Sequence, residues 1–526
     1  MSKMLKASGA MAVATLTSRV LGMVREVVYM NFMGVGIIND AFTYAFTIPN
    51  LFRRLLGEGA LTAAFIPVFK EKEKIHGETE MWRAANAVIS GLVIAASVII
   101  ALAMIGITVA LDVHHFSDKW ELTLRLLRVM FPYMLLVCLA AAMMGMLNAR
   151  GHFFIPAMGA TMLNVVMIAS VWWLAPKFGV GLSKEQRLPL QIFALAYGVL
   201  AAGVAQAAFQ VPTLWRDGFR YRWVSPWRNE TVQRVVRQMI PGMLGVAAFQ
   251  INVALVQGVA LFVGTGIVSS FNGAVRLMEL PQGLFGISLA TYLLPTLSGL
   301  AADKNYSEFR TTLRSGLATL VFLNLIASVL LVALAEPIVR LLFERGAFTA
   351  VSTLHVTYAL QCLAPGLVLF STVNILARAF YALGDTQTPM KISLVCLAIN
   401  FTAACLLLVP LREGGPGIAN TLTSFLNVGL LLYALRRKLK TLELKSVRQN
   451  ILLLVWLALL AGIAAFVGWR LWENTLGHAT FVLKMGAVFV PAIVAGLIYG
   501  ILALMFKIPA AKELLDFALA KFKRVK

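Results

Sequence analysis

The stretch VISGLVIAASVIIALAMIGITVAL (88–111) decides the fold class, because it is apolar throughout and carries no charge. A helix rises about 1.5 Å per residue, so this stretch is long enough to cross about 30 Å of hydrocarbon. ILLLVWLALLAGIAAFVGW (451–469) has the same character. The whole chain of 526 residues is 60% hydrophobic and only 13% charged, which is too apolar for a soluble protein. The sequence therefore predicts an all-α polytopic membrane protein.

Hydropathy predicts about fourteen transmembrane helices joined by short loops. The predicted spans lie near 8–30, 39–69, 81–111, 121–148, 155–176, 189–215, 232–263, 268–300, 308–334, 350–380, 388–410, 415–435, 446–472 and 480–506. No loop is long enough for an inserted soluble domain. The longest basic connection is WRDGFRYRWVSPWRNETVQRVVRQ (215–238).

Positive charge is distributed unevenly between the two predicted faces. The formal net charge of +22 could suggest nucleic-acid binding, but loops on one face hold 30 basic residues and those on the other hold 9. This bias orients a membrane protein, with the basic face in the cytoplasm. We predict a multi-pass protein of the cytoplasmic membrane, with both termini cytoplasmic and no nucleic-acid partner.

An internal repeat divides the chain. Proline and glycine recur at an offset of 233 residues, as Pro132, Gly151 and Pro156 match Pro365, Gly384 and Pro389. The offset spans six helices, and an even number predicts parallel repeats related by an axis along the membrane normal. We predict an N-terminal lobe (1–230), a C-terminal lobe (231–440), and two further helices with a basic tail (441–526). Transporters of this kind bind substrate between two lobes and rock one against the other.

Of the arginines in predicted spans, five are assigned to the membrane interior rather than to a loop or a helix entrance, and each costs about 2.5–3.5 kcal/mol there on insertion scales: Arg19, Arg25, Arg53, Arg54 and Arg276. Few carboxylates lie nearby, so the group is net positive. Guanidinium groups grip phosphate bidentately and keep their charge. We predict a cationic cavity, shared by the two lobes, that binds an anionic ligand.

The second predicted span places several of these charges around one proline. Pro49 cannot donate a backbone hydrogen bond and predicts a kink. Arg53 and Arg54 follow one turn later, Asp40 lies near the outer end, and Glu58 is positioned to hold an arginine when substrate is absent. Neighbouring residues face about 100° apart, so we expect one arginine of this pair to point fully inward.

Two alternatives concern the remaining arginines. Arg25 approaches a helix end and could be an interfacial side chain whose head reaches water. Arg276 and Glu279, three residues apart, could form a purely structural ion pair. The sequence leaves both open.

Motifs of catalysis are absent from the sequence. It has no GxxxxGK[ST], HExxH or GxSxG, and no GxGxxG at a strand–helix junction. Its four cysteines form no CxxC pair and predict neither a zinc site nor a disulfide. We expect a transporter without a cofactor or resident metal, rather than an enzyme.

The chain resembles the MurJ (MviN) family of lipid II flippases. The resemblance rests on SRVLGMVRE (18–26), NDAFTYAFTIPNLFRRLLGEGALTAAFIPVF (39–69), LNARGHFFIPA (147–157), VRLMELPQGLFGISLATYLLP (275–295) and ALGDTQTPMKI (382–392), and it covers the chain from end to end. The family belongs to the superfamily of MATE multidrug exporters and polysaccharide-unit flippases. The implied fold is two six-helix lobes plus two C-terminal helices that form a groove for a lipid tail.

The resemblance implies a function in peptidoglycan biosynthesis, and hence in cell-wall biogenesis and cell shape. Lipid II, an undecaprenyl-pyrophosphate-linked muropeptide, would pass from the inner to the outer leaflet of the inner membrane by alternating access. The implied partners are this lipid, membrane lipids and the cell-wall synthesis machinery. The implied cavity residues are Arg19, Arg25, Asp40, Arg53, Arg54, Arg276 and Glu279.

This sequence departs from the family pattern at two kinds of position. Many relatives have Asp where this chain has Glu26 and Val275. Some relatives bind a coupling cation in the second lobe, but QINVALVQGVALF (250–262) has no carboxylate, and Asp385 is a weak candidate ligand. We therefore expect the membrane potential to drive transport, and the coupling ion stays open.

Rival interpretations belong to other classes. A cation-coupled multidrug exporter of the MATE type would favour buried carboxylates over a basic cavity. A flippase for another polyprenyl-linked saccharide fits the same cationic residues. A non-transporting scaffold of envelope assembly has no need for five arginines within its spans.

Overall fold

The structure is a computed structural model that describes residues 3–57, 60–442 and 445–516. Those residues form nineteen α-helices and no strand: α1 (Lys3–Met33), α2 (Ile37–Phe52), α3 (Ala60–Val113), α4 (Asp118–Met130), α5 (Tyr133–Ala149), α6 (Phe154–Ala169), α7 (Lys184–Ala208), α8 (Val211–Arg216), α9 (Glu230–Val263), α10 (Ile267–Pro281), α11 (Ser288–Ala302), α12 (Tyr306–Ala333), α13 (Ala335–Phe343), α14 (Ala350–Leu363), α15 (Leu367–Ala382), α16 (Gln387–Leu411), α17 (Gly415–Leu439), α18 (Lys445–Thr475) and α19 (Phe481–Met505).

The helices confirm the all-α polytopic class. Within the described ranges, nine helical segments are long and apolar enough to span a membrane, and the pair α4–α5, bent by 44°, makes a tenth. The number fourteen stays a prediction. The predicted span 39–69 is divided between α2 and α3, whereas the non-helical Gly77 of α3, with φ of 83°, lies between the predicted spans 39–69 and 81–111.

Two of the breaks occur at prolines that the repeat pairs. Pro132 lies between α4 and α5, and Pro365 lies in the 3₁₀ turn Ala364–Gly366 between α14 and α15. Proline lacks the N–H that would continue the helix and clashes with the preceding turn. The sequence predicted one continuous span at each of these places. In the structure α4 and α5 are bent by 44°, and a 3₁₀ turn separates α14 from α15.

The paired glycines also adopt one conformation. Gly151 has φ of 87° and Gly384 has φ of 73°, in the left-handed region that favours glycine. In both turns the next residue donates a backbone hydrogen bond of 2.9 Å five residues back, from His152 to Leu147 and from Asp385 to Phe380. The two turns therefore end α5 and α15 with the same hydrogen bond.

A third recurring feature is a proline followed by a π-helical turn. Pro49 lies near the end of α2 and precedes the π-helix Arg53–Gly57, while Pro281 ends α10 and precedes the π-helix Gln282–Ile287. Such turns insert extra residues into a helix and are frequent at functional sites. The structure thus changes helical pitch just after Pro49, and the kink at this proline stays a prediction.

The chain forms two compact units, 1–261 and 262–526. By packing, most of α9 belongs to the first unit, although by repeat position it corresponds to α1. In the first unit α1 packs on α6, and Tyr133 and Met134 of α5 are fully buried. In the second unit α18 packs on α19 and α12. The lobe boundary predicted at 230 stays a prediction.

Helix pairing inside the two units follows one scheme. In the first unit α2 packs on α4, α5 on α7, and α6 on α7. In the second unit α10 packs on α14, α15 on α17, and α16 on α17. These are the pairs that the 233-residue offset relates, so the repeat seen in the sequence is also a repeat of packing.

Candidate substrate-binding arginines

The first two predicted site residues lie on α1. Arg19 is exposed, and Asn164 on α6 donates to the carbonyl of the adjacent Ser18 over 3.1 Å. Arg25 is 12% exposed, its Nη2 is 3.7 Å from Oε2 of the buried Glu26, and its Cζ lies 5.4 Å from the centre of the Tyr29 ring. Packing against α6 thus fixes this stretch of α1.

Arg25 has one hydrogen-bond donor that the protein does not use. Its Nε atom is buried and has no hydrogen-bond partner within the described part of the chain. A buried hydrogen-bond donor without an acceptor raises the free energy of the folded protein, and the cost is larger on a charged group. Arg25 therefore carries a buried donor whose hydrogen bond no described residue accepts.

Asp40 lies in the first turn of α2 and is fully buried. A carboxylate is favoured there because the helix N-terminus carries partial positive charge. Lys119 on α4 lies within electrostatic range of Asp40. The predicted site residue Asp40 thus contributes to packing between α2 and α4.

Arg53 and Arg54 begin the π-helical turn and are half-buried. Arg53 Nε donates to Asn50 Oδ1 over 2.7 Å, and Arg54 Nη1 donates to Gln250 Oε1 on α9 over 3.3 Å. The neighbours therefore diverge, as their spacing predicts. Glu58, the predicted carboxylate partner, lies outside the described residues.

In the second unit, Arg276 and Glu279 share one face of α10. Arg276 Nη1 lies 2.9 Å from Glu279 Oε2, and their side chains are 35% and 49% exposed. The pair that the i, i+3 spacing predicts is present. Exposed pairs of this kind contribute little stability, so the contact does not by itself account for a charge in this helix.

Asp385 is a helix cap at the start of α16. Its Oδ1 accepts from the Thr388 backbone N–H over 3.0 Å, and its Oδ2 accepts from Thr388 Oγ1 over 2.9 Å and lies 2.7 Å from Lys438 Nζ. The Lys438 ammonium and the Thr388 donors lower the pKa of Asp385 from 3.8 to about 2. Among the residues that the structure describes, no group of three or more His, Cys, Asp or Glu could hold a metal ion.

Sequence reasoning missed the amide partners of the arginines. Gln250 and Gln257 are seven residues apart on α9, and Thr47 Oγ1 donates to Gln257 Oε1 over 2.8 Å. Residues at this spacing lie on one face of a helix. Two glutamines on one face of the apolar stretch 250–262 are the signal that could have found this polar seam.

The fold and the arginines together define a class. Membrane-length helices, a repeat of helix packing in the two units, and arginines within those helices are features of a multi-pass membrane transporter.

Comparison with known proteins shows the family. The family model described as "Lipid II flippase MurJ" matches residues 29–486. The chain is 33% identical over 441 residues to the probable lipid II flippase MurJ of Vibrio cholerae serotype O1, covering 82% of each chain. The chain therefore belongs to the MurJ family, and it is a transporter rather than an enzyme.

Solved structures share the fold. A lipid II flippase MurJ in an inward closed conformation matches with a TM-score of 0.75 at 22% identity, over 94% of this chain and 98% of that one. An inward-facing multidrug resistance MATE family transporter of the MOP superfamily matches with a TM-score of 0.65 at 14% identity, over 83% of this chain and 99% of that one. The fold is thus common to flippases and exporters.

Proposed function

We propose that this protein moves lipid II from the inner to the outer leaflet of the bacterial inner membrane by alternating access. Family membership supports the substrate, since the relatives are named lipid II flippases. The pyrophosphate of this lipid must leave water to cross the bilayer, which is unfavourable unless the protein supplies compensating charge. In this proposal no covalent bond is broken.

The observation that carries the proposal is the buried Nε donor of Arg25, which has no hydrogen-bond partner among the described residues. A phosphate oxygen is a suitable acceptor, because guanidinium–phosphate hydrogen bonds are charge-assisted and bidentate. Arg53 and Arg54 add two guanidinium groups in the same unit, positioned by Asn50 and Gln250. We propose that these three arginines, Arg19 and Arg276 bind the headgroup as a cationic cavity.

Carboxylates of the site have a different role in the proposal. Glu26 and Glu279 each lie beside an arginine, at 3.7 and 2.9 Å. When the pyrophosphate leaves, an internal counter-ion lowers the cost of an empty cationic site. Glu26, Glu279 and Glu58 would therefore reset the arginines, while Asp40 stabilises α2.

The remaining parts of the proposal concern the lipid and the membrane. The polyprenyl tail stays in the bilayer or against α18 and α19, whose outward surfaces include exposed Ile463 and Val494. Both termini face the cytoplasm, as the basic loops indicate. Cell-wall synthesis enzymes would use the lipid delivered at the outer face.

A headgroup-accessibility assay in cells depleted of this protein tests the proposal. Wild-type protein should restore labelling of lipid II at the outer face, and Arg53→Ala and Arg276→Ala should fail to restore it while reaching the membrane in normal amounts. Arg125→Ala is the matched control, because Arg125 is a 57% exposed arginine on α4 paired with Glu121. Full restoration by both site variants would refute the cationic site, and normal labelling without the protein would refute the function.

A further inference from the structure

Residues 215–228 form a basic and aromatic segment that runs from the last two residues of α8 towards α9, here called the strap. Its exposed aromatic side chains are Trp215, Trp223 and Trp227 at 55%, 60% and 74% and Tyr221 at 50%. Its arginines, Arg216, Arg220, Arg222 and Arg228, are also exposed. The proposed transport site uses none of these residues.

Specific contacts fasten the strap to α3. Phe219 is buried, and its ring centre lies 5.5 Å from that of Trp82. Asn86 Nδ2 donates to the Arg220 carbonyl over 3.1 Å, and Ser90 Oγ lies 3.2 Å from Tyr221 Oη. The strap therefore follows α3 in order, from Trp82 towards Ser90.

These contacts fix the position of the strap along α3. Trp82 and Ser90 are separated by about 12 Å along the helix axis at 1.5 Å per residue. The uncharged apolar stretch of α3 begins at residue 88, so the contact with Ser90 lies at its edge. Tryptophan and tyrosine partition to this boundary between hydrocarbon and headgroups. The strap thus runs along α3 as far as the edge of its apolar stretch.

The four arginines of the strap are exposed. Its one carboxylate, Asp217, lies 3.1 Å from His152 Nε2, and Arg220 donates to the Trp215 carbonyl over 2.9 Å. Arg216, Arg222 and Arg228 are exposed, and none forms an ion pair within the part of the chain that the structure describes. Three uncompensated guanidinium groups therefore lie beside interfacial tryptophans.

We propose that the strap is a binding site for the headgroups of anionic phospholipids. Arg216, Arg222 and Arg228 bind phosphate, for which the guanidinium fork is suited, and Trp223 and Trp227 anchor the segment among the headgroups. Anionic leaflets attract basic residues placed at this depth. The inference does not depend on lipid II transport, and the proposed orientation assigns it to the cytoplasmic leaflet.

Tryptophan quenching by brominated lipids tests this site in the full chain. The protein is reconstituted in phosphatidylcholine vesicles that contain brominated phosphatidylglycerol or, at the same mole fraction, brominated phosphatidylcholine. The difference between wild type and Trp223→Phe/Trp227→Phe isolates the strap signal. We expect that signal to be quenched at least about twofold more by the anionic lipid.

A matched pair of triple variants tests whether the lipid preference depends on the strap arginines or only on the net charge of the protein. Arg216→Gln/Arg222→Gln/Arg228→Gln should abolish the preference for phosphatidylglycerol, whereas Arg436→Gln/Arg437→Gln/Lys440→Gln should keep it, since those exposed residues at the end of α17 have no neighbouring tryptophan in sequence. Rising salt should weaken the preference in the wild type, which tests the charge even if a variant misfolds.

Three results would overturn the proposal. They are equal quenching by both lipids in the wild type, equal loss in both triple variants, and no quenching of the strap tryptophans by either lipid. The last result would assign the strap to a protein partner. The quenching assay does not measure lipid II transport, so its outcome and that of the transport assay are independent.

Discussion

Arg54, on the π-helical turn after α2, donates a hydrogen bond from Nη1 to Oε1 of Gln250 on α9 over 3.3 Å. An amide oxygen orients a guanidinium group without cancelling its charge. A carboxylate at the same position would add an ionic attraction that competes with an incoming phosphate. We therefore expect the residue at position 250 to affect how strongly Arg54 attracts a phosphate.

We predict that Gln250→Glu impairs transport more than Gln250→Ala. The glutamate variant gives Arg54 a fixed counter-ion, whereas the alanine variant removes only an orienting hydrogen bond, which contributes about 0.5–1.5 kcal/mol. Lipid II flipping rates in reconstituted vesicles measure both. A glutamate variant as active as the wild type would show that the charge of Arg54 is not needed.

Asp385 should behave as a structural cap. Asp385→Asn removes the ion pair with Lys438 but leaves an amide oxygen that can still accept from the Thr388 N–H, so it should lower the free energy of unfolding by only about 0.2–1 kcal/mol, with little change in transport. Because the folded-state pKa of about 2 lies below the ordinary 3.8, this stabilisation is present above pH 3.8 and is lost as pH falls towards 2.

Thermal unfolding across this pH range measures the Asp385 effect. The difference between wild type and Asp385→Asn should be constant at neutral pH and should shrink on acidification below 3.8. Lys438→Gln serves as the partner variant, and the double variant should be less destabilised than the sum of the two. A stable Asp385→Asn protein that no longer transports would instead assign Asp385 to a coupling cation.

The turns at Gly151 and Gly384 should respond alike to alanine. Both have positive φ and neither has an atom within 4 Å of an added Cβ, so only backbone strain opposes the change. Each substitution should destabilise the protein by about 1 kcal/mol. Gly106→Ala is the control, since this helical glycine also has open space around an added Cβ but no positive φ, and it should be neutral or stabilising. Similar unfolding temperatures for all three variants would contradict the assigned strain.

Much of the fold could be predicted from local sequence signals. Pro132, Pro365, Gly151 and Gly384 act through their own backbones, so their common register is enough to reveal the repeat. The spacing of Arg276 and Glu279 likewise predicts their contact, because i, i+3 residues meet on a helix.

The rest depends on contacts between distant segments. The pairing of Arg54 with Gln250 joins residues 196 positions apart, and that of Asn86 with the Arg220 carbonyl joins residues 134 apart. Periodicity within one helix carries no information about such partners. The π-helical pitch after Pro49 was also missed, since a proline predicts a kink without fixing the hydrogen bonds that follow it.

The driving force should be the membrane potential. Moving two negative charges outward across a membrane that is negative inside releases roughly 4.6 kcal/mol per 100 mV. The segment 250–262 offers glutamines in place of a carboxylate ligand. Collapsing the potential in vesicles should stop flipping, and replacing sodium with choline should not. Sodium dependence at constant potential would contradict this prediction and would indicate a coupling cation.

The flipping rate of purified Arg25 variants tests the central claim most directly, namely that arginines within the helices bind the pyrophosphate. In vesicles containing lipid II, Arg25→Ala should reduce the rate by roughly 10–100-fold, the equivalent of a charged hydrogen bond. Arg25→Lys should recover only part of it, because an ammonium lacks the planar fork. Arg125→Ala should match the wild type. Wild-type rates for Arg25→Ala, in protein that folds normally, would contradict the account.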